Sequence, residues 1–117
     1  MGFEDYIEES ASEINRELRR FFPRKITRKW LLKNLSNEEF SFDVEAYQKA
    51  VADPVWDFLE RGGKRWRPAL LLLCCEAIGG SRKKALPFAV LPELAHNGTI
   101  IVDDVEDSSP LRRGKPT

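Results

Sequence analysis

Apolar residues recur at helical spacing almost from the start of the chain. Phe3, Ile7, Ile14, Leu18 and Phe21 share one side of a 3.6-residue period, with Ala11 filling the gap. The pattern predicts an amphipathic helix over residues 3–22, closed by Pro23. Glu4, Asp5, Glu8 and Glu9 occupy its first turns and Arg16, Arg19 and Arg20 its last, the order the helix dipole favours. A short helix is expected over 27–35 around Trp30, Leu31 and Leu35. Ser36-Asn37-Glu38-Glu39 has the capping-box pattern, whereas Phe40 to Phe42 reads as a loop. Tyr47, Ala50, Val51, Val55, Phe58 and Leu59 give a further helical face, bent near Pro54. A helix with Pro68 in its first turn runs to Gly79-Gly80, and a last one, capped by Ser81, reaches Asp107 despite Pro87 and Pro92. With no period-two alternation and no repeat, the fold class is all-α, in a single domain over 1–117.

Charge adds little at the scale of the whole chain. Nineteen basic residues balance nineteen acidic ones, so no bulk attraction to nucleic acid or membrane follows. Between Arg16 and Lys33 eight basic residues face Glu17 alone, which reads as a solvated basic face in preference to a surface for anionic lipid. The longest apolar run, Ala69 to Cys75, is too short to span a bilayer and no signal peptide opens the chain, so stable membrane insertion is not expected. Cys74 and Cys75 are adjacent within apolar sequence and read as buried thiols of a reducing compartment, in keeping with a cytoplasmic protein.

The candidate chemistry lies near the C-terminus. Asp103, Asp104 and Asp107 stand in Asp-Asp-Val-Glu-Asp, followed by Arg112, Arg113 and Lys115. Asp103 and Asp107, four apart, stack on one helix face and repel unless a cation lies between them. Oxygen ligands alone point to a hard ion, Mg²⁺ before Ca²⁺, which keeps waters and takes phosphate oxygens. The arginines offer planar forks suited to phosphate. The same run also reads as a solvated acidic helix end beside a basic turn. Upstream, Gly62-Gly63-Lys64-Arg65-Trp66-Arg67-Pro68 lies between two apolar helical stretches. Lys64, Arg65 and Arg67 crowd a helix N-terminus, where basic residues are electrostatically out of place without an anion. Taken alone, this segment is equally a plain solvated loop.

The two motifs, in this order and spacing, resemble the N-terminal part of an (E)-isoprenyl diphosphate synthase, the polyprenyl synthetase family. The resemblance runs from about Tyr47 to the C-terminus and is carried by 62–68, by Glu93-Leu94-Ala95-His96, and by 103–107 with Arg112-Arg113-Gly114. The aspartate box alone would be shared with terpene cyclases; the Gly-Gly-Lys-Arg and Arg-Arg-Gly segments separate the two. The implied fold is the first part of the isoprenoid synthase helical bundle, an incomplete domain in this chain.

Position by position, the resemblance implies Asp103 and Asp107 as Mg²⁺ ligands bridging to an allylic diphosphate, with Asp104 in support. Arg112 would hold that allylic diphosphate. Lys64, Arg67, His96 and Arg113 would form the pocket for the diphosphate of isopentenyl diphosphate. Without the resemblance, His96 reads as a satisfied, half-buried histidine. Arg65 and Lys115 receive only general electrostatic roles. The implied chemistry ionises the allylic diphosphate, adds the isopentenyl double bond to the allyl cation and releases a proton. It needs electrostatic stabilisation and orientation, not a protein nucleophile. The family's second aspartate-rich motif has no counterpart after Asp107, so the chain reads as an inactive part of a catalyst. The alternative is a non-catalytic partner subunit that binds a full synthase through residues 3–60. A homodimer is expected, joined through apolar faces that the rest of a synthase would cover. Gly98 and Thr99, one turn before Asp103, leave room for a product of geranylgeranyl length or longer, although Gly98 equally suits close helix packing.

Overall fold

The computed structural model describes residues 2–35 and 41–117. Its helices are α1 (Phe3–Phe21), α2 (Arg28–Leu35), α3 (Val44–Tyr47), α4 (Asp53–Glu60), α5 (Trp66–Ala77) and α6 (Arg82–Glu106). A π-helical segment, Gln48–Ala52, joins α3 to α4. A two-stranded hairpin, β1 (Leu111–Arg112) with β2 (Lys115–Pro116), follows α6. The all-α class holds, with that hairpin as the one departure. The capping-box residues 36–39 and Phe40 lie outside the described residues; Ser41 and Phe42 are irregular backbone, as expected.

α1 buries Ile7, Ile14 and Leu18 as its periodicity predicts. Phe3 and Phe21 at its two ends are exposed, and the fully buried residue in the middle turn is Ser10, not Ala11. Ser10 is tolerated there because its hydroxyl accepts a hydrogen bond from Arg82 Nη2 at 2.9 Å. Phe22, just beyond the helix, turns inward and stacks on Trp56 at 6.4 Å.

The expected bend near Pro54 is the π-helical segment. Pro54 has no N–H, and its ring crowds the carbonyl four residues back. The backbone widens, and the Asp53 N–H reaches Gln48 O, five residues back. The extra residue rotates the apolar face. Ala52, Trp56, Phe58 and Leu59 are buried, whereas Ala50 and Val51 face solvent.

α5 ends where the glycines demand. Gly79 has φ +78°, and its N–H and that of Gly80 bond to Glu76 O and Cys75 O at 3.0 and 2.8 Å. A Cβ on Gly80 would lie 2.5 Å from Cys75 Sγ. Ser81 then caps α6, its side chain accepting from the Lys84 N–H. α5 and α6 pack together and against α1, forming the layer that holds Ala69, Leu72, Ala89 and Val90 in the core. The cysteines do not join it: Cys74 is exposed and Cys75 half-buried, because α5 turns that side away from α1 and α6. α6 is long and apolar enough to cross a membrane, yet it buries the polar side chains Glu93, Asn97 and Asp104 within the protein.

Candidate diphosphate site

Two helix ends with opposite charge frame the site. α6 ends in Asp103, Asp104, Glu106 and Asp107, with no basic residue in its last turn. This is the negative end of the helix dipole, so the four acids lie against it. The helix closes with Ser108 at φ +53°, and the Ser109 and Ser108 N–H groups bond to Asp104 O and Val105 O. The Asp107 N–H bonds to Asp103 O at 2.8 Å, which keeps this last turn helical and the Asp103 and Asp107 side chains one turn apart. Both are exposed.

Asp104 differs from them. It is buried, and Arg112 on β1 holds it with a fork: Nε lies 3.1 and 3.0 Å from its two oxygens and Nη2 2.5 Å from Oδ1. The fork holds the Asp104 carboxyl below its usual range and raises Arg112. Arg112 Nη1 has no hydrogen-bond partner among the described residues.

The hairpin brings the second arginine round. Arg113 and Gly114 occupy its two-residue turn with φ +51° and +77°, the handedness such turns require. Arg113 reaches back across the chain, donating from Nη1 to Gly62 O and from Nη2 to Asn97 Oδ1, with its guanidinium carbon 5.0 Å from the Phe58 ring centre. Arg61, which the motifs left unassigned, anchors the hairpin by donating to Pro116 O at 2.9 Å while paired with Asp57. No sequence pattern marks that role, since its partners on the hairpin lie more than fifty residues away.

The basic turn opens α5, whose first turn holds Arg67 and no acid. Arg67 stacks over its neighbour Trp66 at 4.3 Å. His96 is half-buried on α6, and its pKa falls below the ordinary histidine value. Burial is the first cause, followed by the cations of Arg67 and Arg113, with Glu93 opposing. Arg67 and Arg113 thus both lie within electrostatic reach of His96. Lys64 is not drawn into this group; it lines a hollow shared with Glu4 and Glu8 of α1. Arg65 departs further, being buried and paired with Glu93 at 2.7 Å, so its general electrostatic role is corrected to a structural one. Lys115 is exposed and lies 3.9 Å from Asp57.

Among the described residues no group of three or more His, Cys, Asp or Glu side chains is arranged to hold a metal ion. The exposed carboxylates of this turn are Asp103, Glu106 and Asp107, of which Asp103 and Asp107 stack one turn apart, with Asp104 committed to Arg112. Two exposed carboxylates fit a hard cation that completes its shell with water and phosphate oxygens. On the same side of α6, Ala95, Gly98, Thr99 and Val102 line an open groove leading back from Asp103.

An acidic helix end, a basic turn and the arginines of the hairpin thus stand on one all-helical chain. The polyprenyl synthetase family model matches residues 48–117, and the chain belongs to that family. It is 50% identical over 58 residues to the geranylgeranyl diphosphate synthase of Methanosarcina mazei, covering 50% of this chain and 18% of that protein. Geranylgeranyl pyrophosphate synthase 4 of Arabidopsis thaliana is 35% identical over 124 residues, 82% of this chain and 33% of the relative. The large subunit 2 of the heterodimeric geranylgeranyl pyrophosphate synthase of the same plant is 34% identical over 105 residues, 71% and 28% respectively. The chain thus spans a third or less of these relatives' length. No solved structure matches.

Proposed function

We propose that the whole protein is a trans-prenyltransferase that condenses an allylic diphosphate with isopentenyl diphosphate to give a longer polyprenyl diphosphate. One observation carries this: the end of α6 and the start of α5 are each charged against their own helix dipole. The acidic end of α6 calls for a cation and the basic start of α5 for an anion. A metal-bound diphosphate beside a second diphosphate meets both demands.

Asp103 and Asp107 would hold Mg²⁺, which when bound supplies positive charge against the departing diphosphate. Arg112, steadied by Asp104, offers its free edge to the allylic diphosphate. Arg113, Arg67 and His96 receive the diphosphate of isopentenyl diphosphate, with Lys64 able to swing in from its exposed position. The charge that develops as the allylic C–O bond breaks is met by groups already fixed in place. The open groove beside Asp103 suits an apolar chain, and relatives named geranylgeranyl diphosphate synthases support a product of that length.

Exposed Leu70, Phe88, Leu91, Val102 and Val105 on α5 and α6, with Ile78 just beyond α5, support association, most simply as a homodimer. A relative whose name specifies a heterodimeric large subunit points to the same tendency. A cytoplasmic location agrees with the two unpaired cysteines. The intact first aspartate motif and its arginines favour catalysis over a purely scaffolding partner subunit, which has no need of them. Incubating the whole protein with Mg²⁺, an allylic diphosphate and labelled isopentenyl diphosphate should give a labelled, chain-extended product. A folded protein that binds both diphosphates and yields none would point to the partner role.

A further inference from the structure

Arg65 stands in the basic turn yet points away from solvent. Its backbone has φ +55°, a conformation that disfavours any residue with a Cβ. Three hydrogen bonds keep it there: Nε to Asn15 Oδ1 at 2.9 Å, Nη1 to Glu93 Oε1 at 2.7 Å and Nη2 to Leu59 O at 2.8 Å. The turn is thereby fastened to α1, α4 and α6 together. Both charged groups of the Arg65–Glu93 pair are buried.

The pair does not end at Glu93. Glu93 Oε1 also accepts from Asn97 Nδ2 at 2.8 Å, and the same nitrogen donates to Glu93 O at 2.7 Å. With both donations made from one side, the Asn97 amide can face only one way. Its Oδ1 accepts from Arg113 Nη2 at 3.4 Å. Arg65 and Arg113 flank Gly63 closely: a Cβ there would lie 3.2 Å from Arg65 Nη1 and 3.5 Å from Arg113 Nη2. Two guanidinium groups so near each other repel, and Glu93 is the acidic group that offsets both.

We propose that Glu93 and Asn97 are positioning residues that orient the Arg113 guanidinium for diphosphate binding, anchored through buried Arg65. This rests on the prenyltransferase reading of the site. Glu93 supplies the negative charge that lets Arg113 settle beside Arg65. Asn97 converts that charge into a directed acceptor one helical turn nearer the site. Neither side chain touches the substrate.

The test is the KM for isopentenyl diphosphate in the whole protein, with Asn97→Ala made alone and on an Arg113→Ala background. Asn97→Ala alone should raise this KM roughly tenfold and change kcat far less, the order of effect seen when a supporting hydrogen bond is lost. On the Arg113→Ala background it should add nothing, because the group it orients is gone. An equal further rise on both backgrounds, or no rise on either, overturns the proposal. If Asn97→Ala does not fold, Asn97→Ser, which lacks the amide oxygen, is read in the same way. Should Arg113→Ala itself leave the KM unchanged, the assignment of this pocket to isopentenyl diphosphate fails. If Arg113→Ala raises the KM and Asn97→Ala does not, the positioning role alone fails.

Discussion

Arg112 and Asp104 form a forked ion pair, with Arg112 Nε placed 3.1 and 3.0 Å from the two carboxylate oxygens. The pair pins β1 to the last turn of α6 and removes the middle acid of the box from the set of free metal ligands. Arg112→Lys keeps the charge and loses the fork. Amide exchange over residues 108–117 should quicken, and turnover of the whole protein should fall by up to roughly a hundredfold as the reacting groups lose register. Unchanged exchange would show that the hairpin is held without the pair.

Gly80 tests the junction that sets α6 in place. A methyl there meets Cys75 Sγ at 2.5 Å and Cys75 O at 2.8 Å. Because one of these atoms is backbone, the clash cannot be relieved by a rotamer change. Gly80→Ala should destabilise the protein by about 1–3 kcal/mol, measured by denaturant titration, through overpacking. A neutral substitution would mean that the α5–α6 turn shifts freely.

His96 gives a pH dependence with a defined sign. Its folded pKa lies below the ordinary 6.5, from burial and then the Arg67 and Arg113 cations. Between the two values the unfolded chain binds more protons, so stability rises with pH there. The contribution is complete above about 6.5 and is lost as pH falls through the lower, folded value. His96→Gln should flatten that part of the profile. An unchanged acid limb would assign it to other groups.

Local signals were legible in the sequence wherever one residue type decides the backbone. Pro23, Gly79-Gly80 and Ser81 mark their helix ends in the structure. The face of α4 was displaced because the π-helical segment before Pro54 inserts a residue, which a fixed 3.6 period cannot anticipate. Phe3, Phe21 and Cys74 are apolar at helical spacing yet lack a covering neighbour. The hairpin escaped notice because two-residue strands carry no periodicity and Arg113 takes a positive φ without being glycine. At the site, the acidic and basic runs were plain in sequence. The inward turn of Arg65, the Asp104–Arg112 fork and the anchor at Arg61 were not, because each depends on partners brought together by folding.

The groove beside Asp103 makes product length testable. Gly98 and Thr99 line it with Ala95 and Val102, and a Cβ on Gly98 would meet nothing within 4 Å. Close packing therefore does not explain Gly98 among the described residues. Gly98→Phe or Thr99→Phe in the whole protein should shorten the main product, read by chromatography of the dephosphorylated alcohols. An unchanged distribution would place the floor of the groove elsewhere.

The division of labour between the two helix ends is tested most directly by kinetics on two variants of the whole protein. Asp103→Ala should cut kcat, at a cost of roughly 2–4 kcal/mol in transition-state stabilisation, and leave the KM for isopentenyl diphosphate nearly unchanged. Arg113→Ala should do the reverse, raising that KM and sparing kcat. Equal effects of both substitutions on both parameters would contradict two separate diphosphate sites, one at the end of α6 and one where Arg113 meets the basic turn.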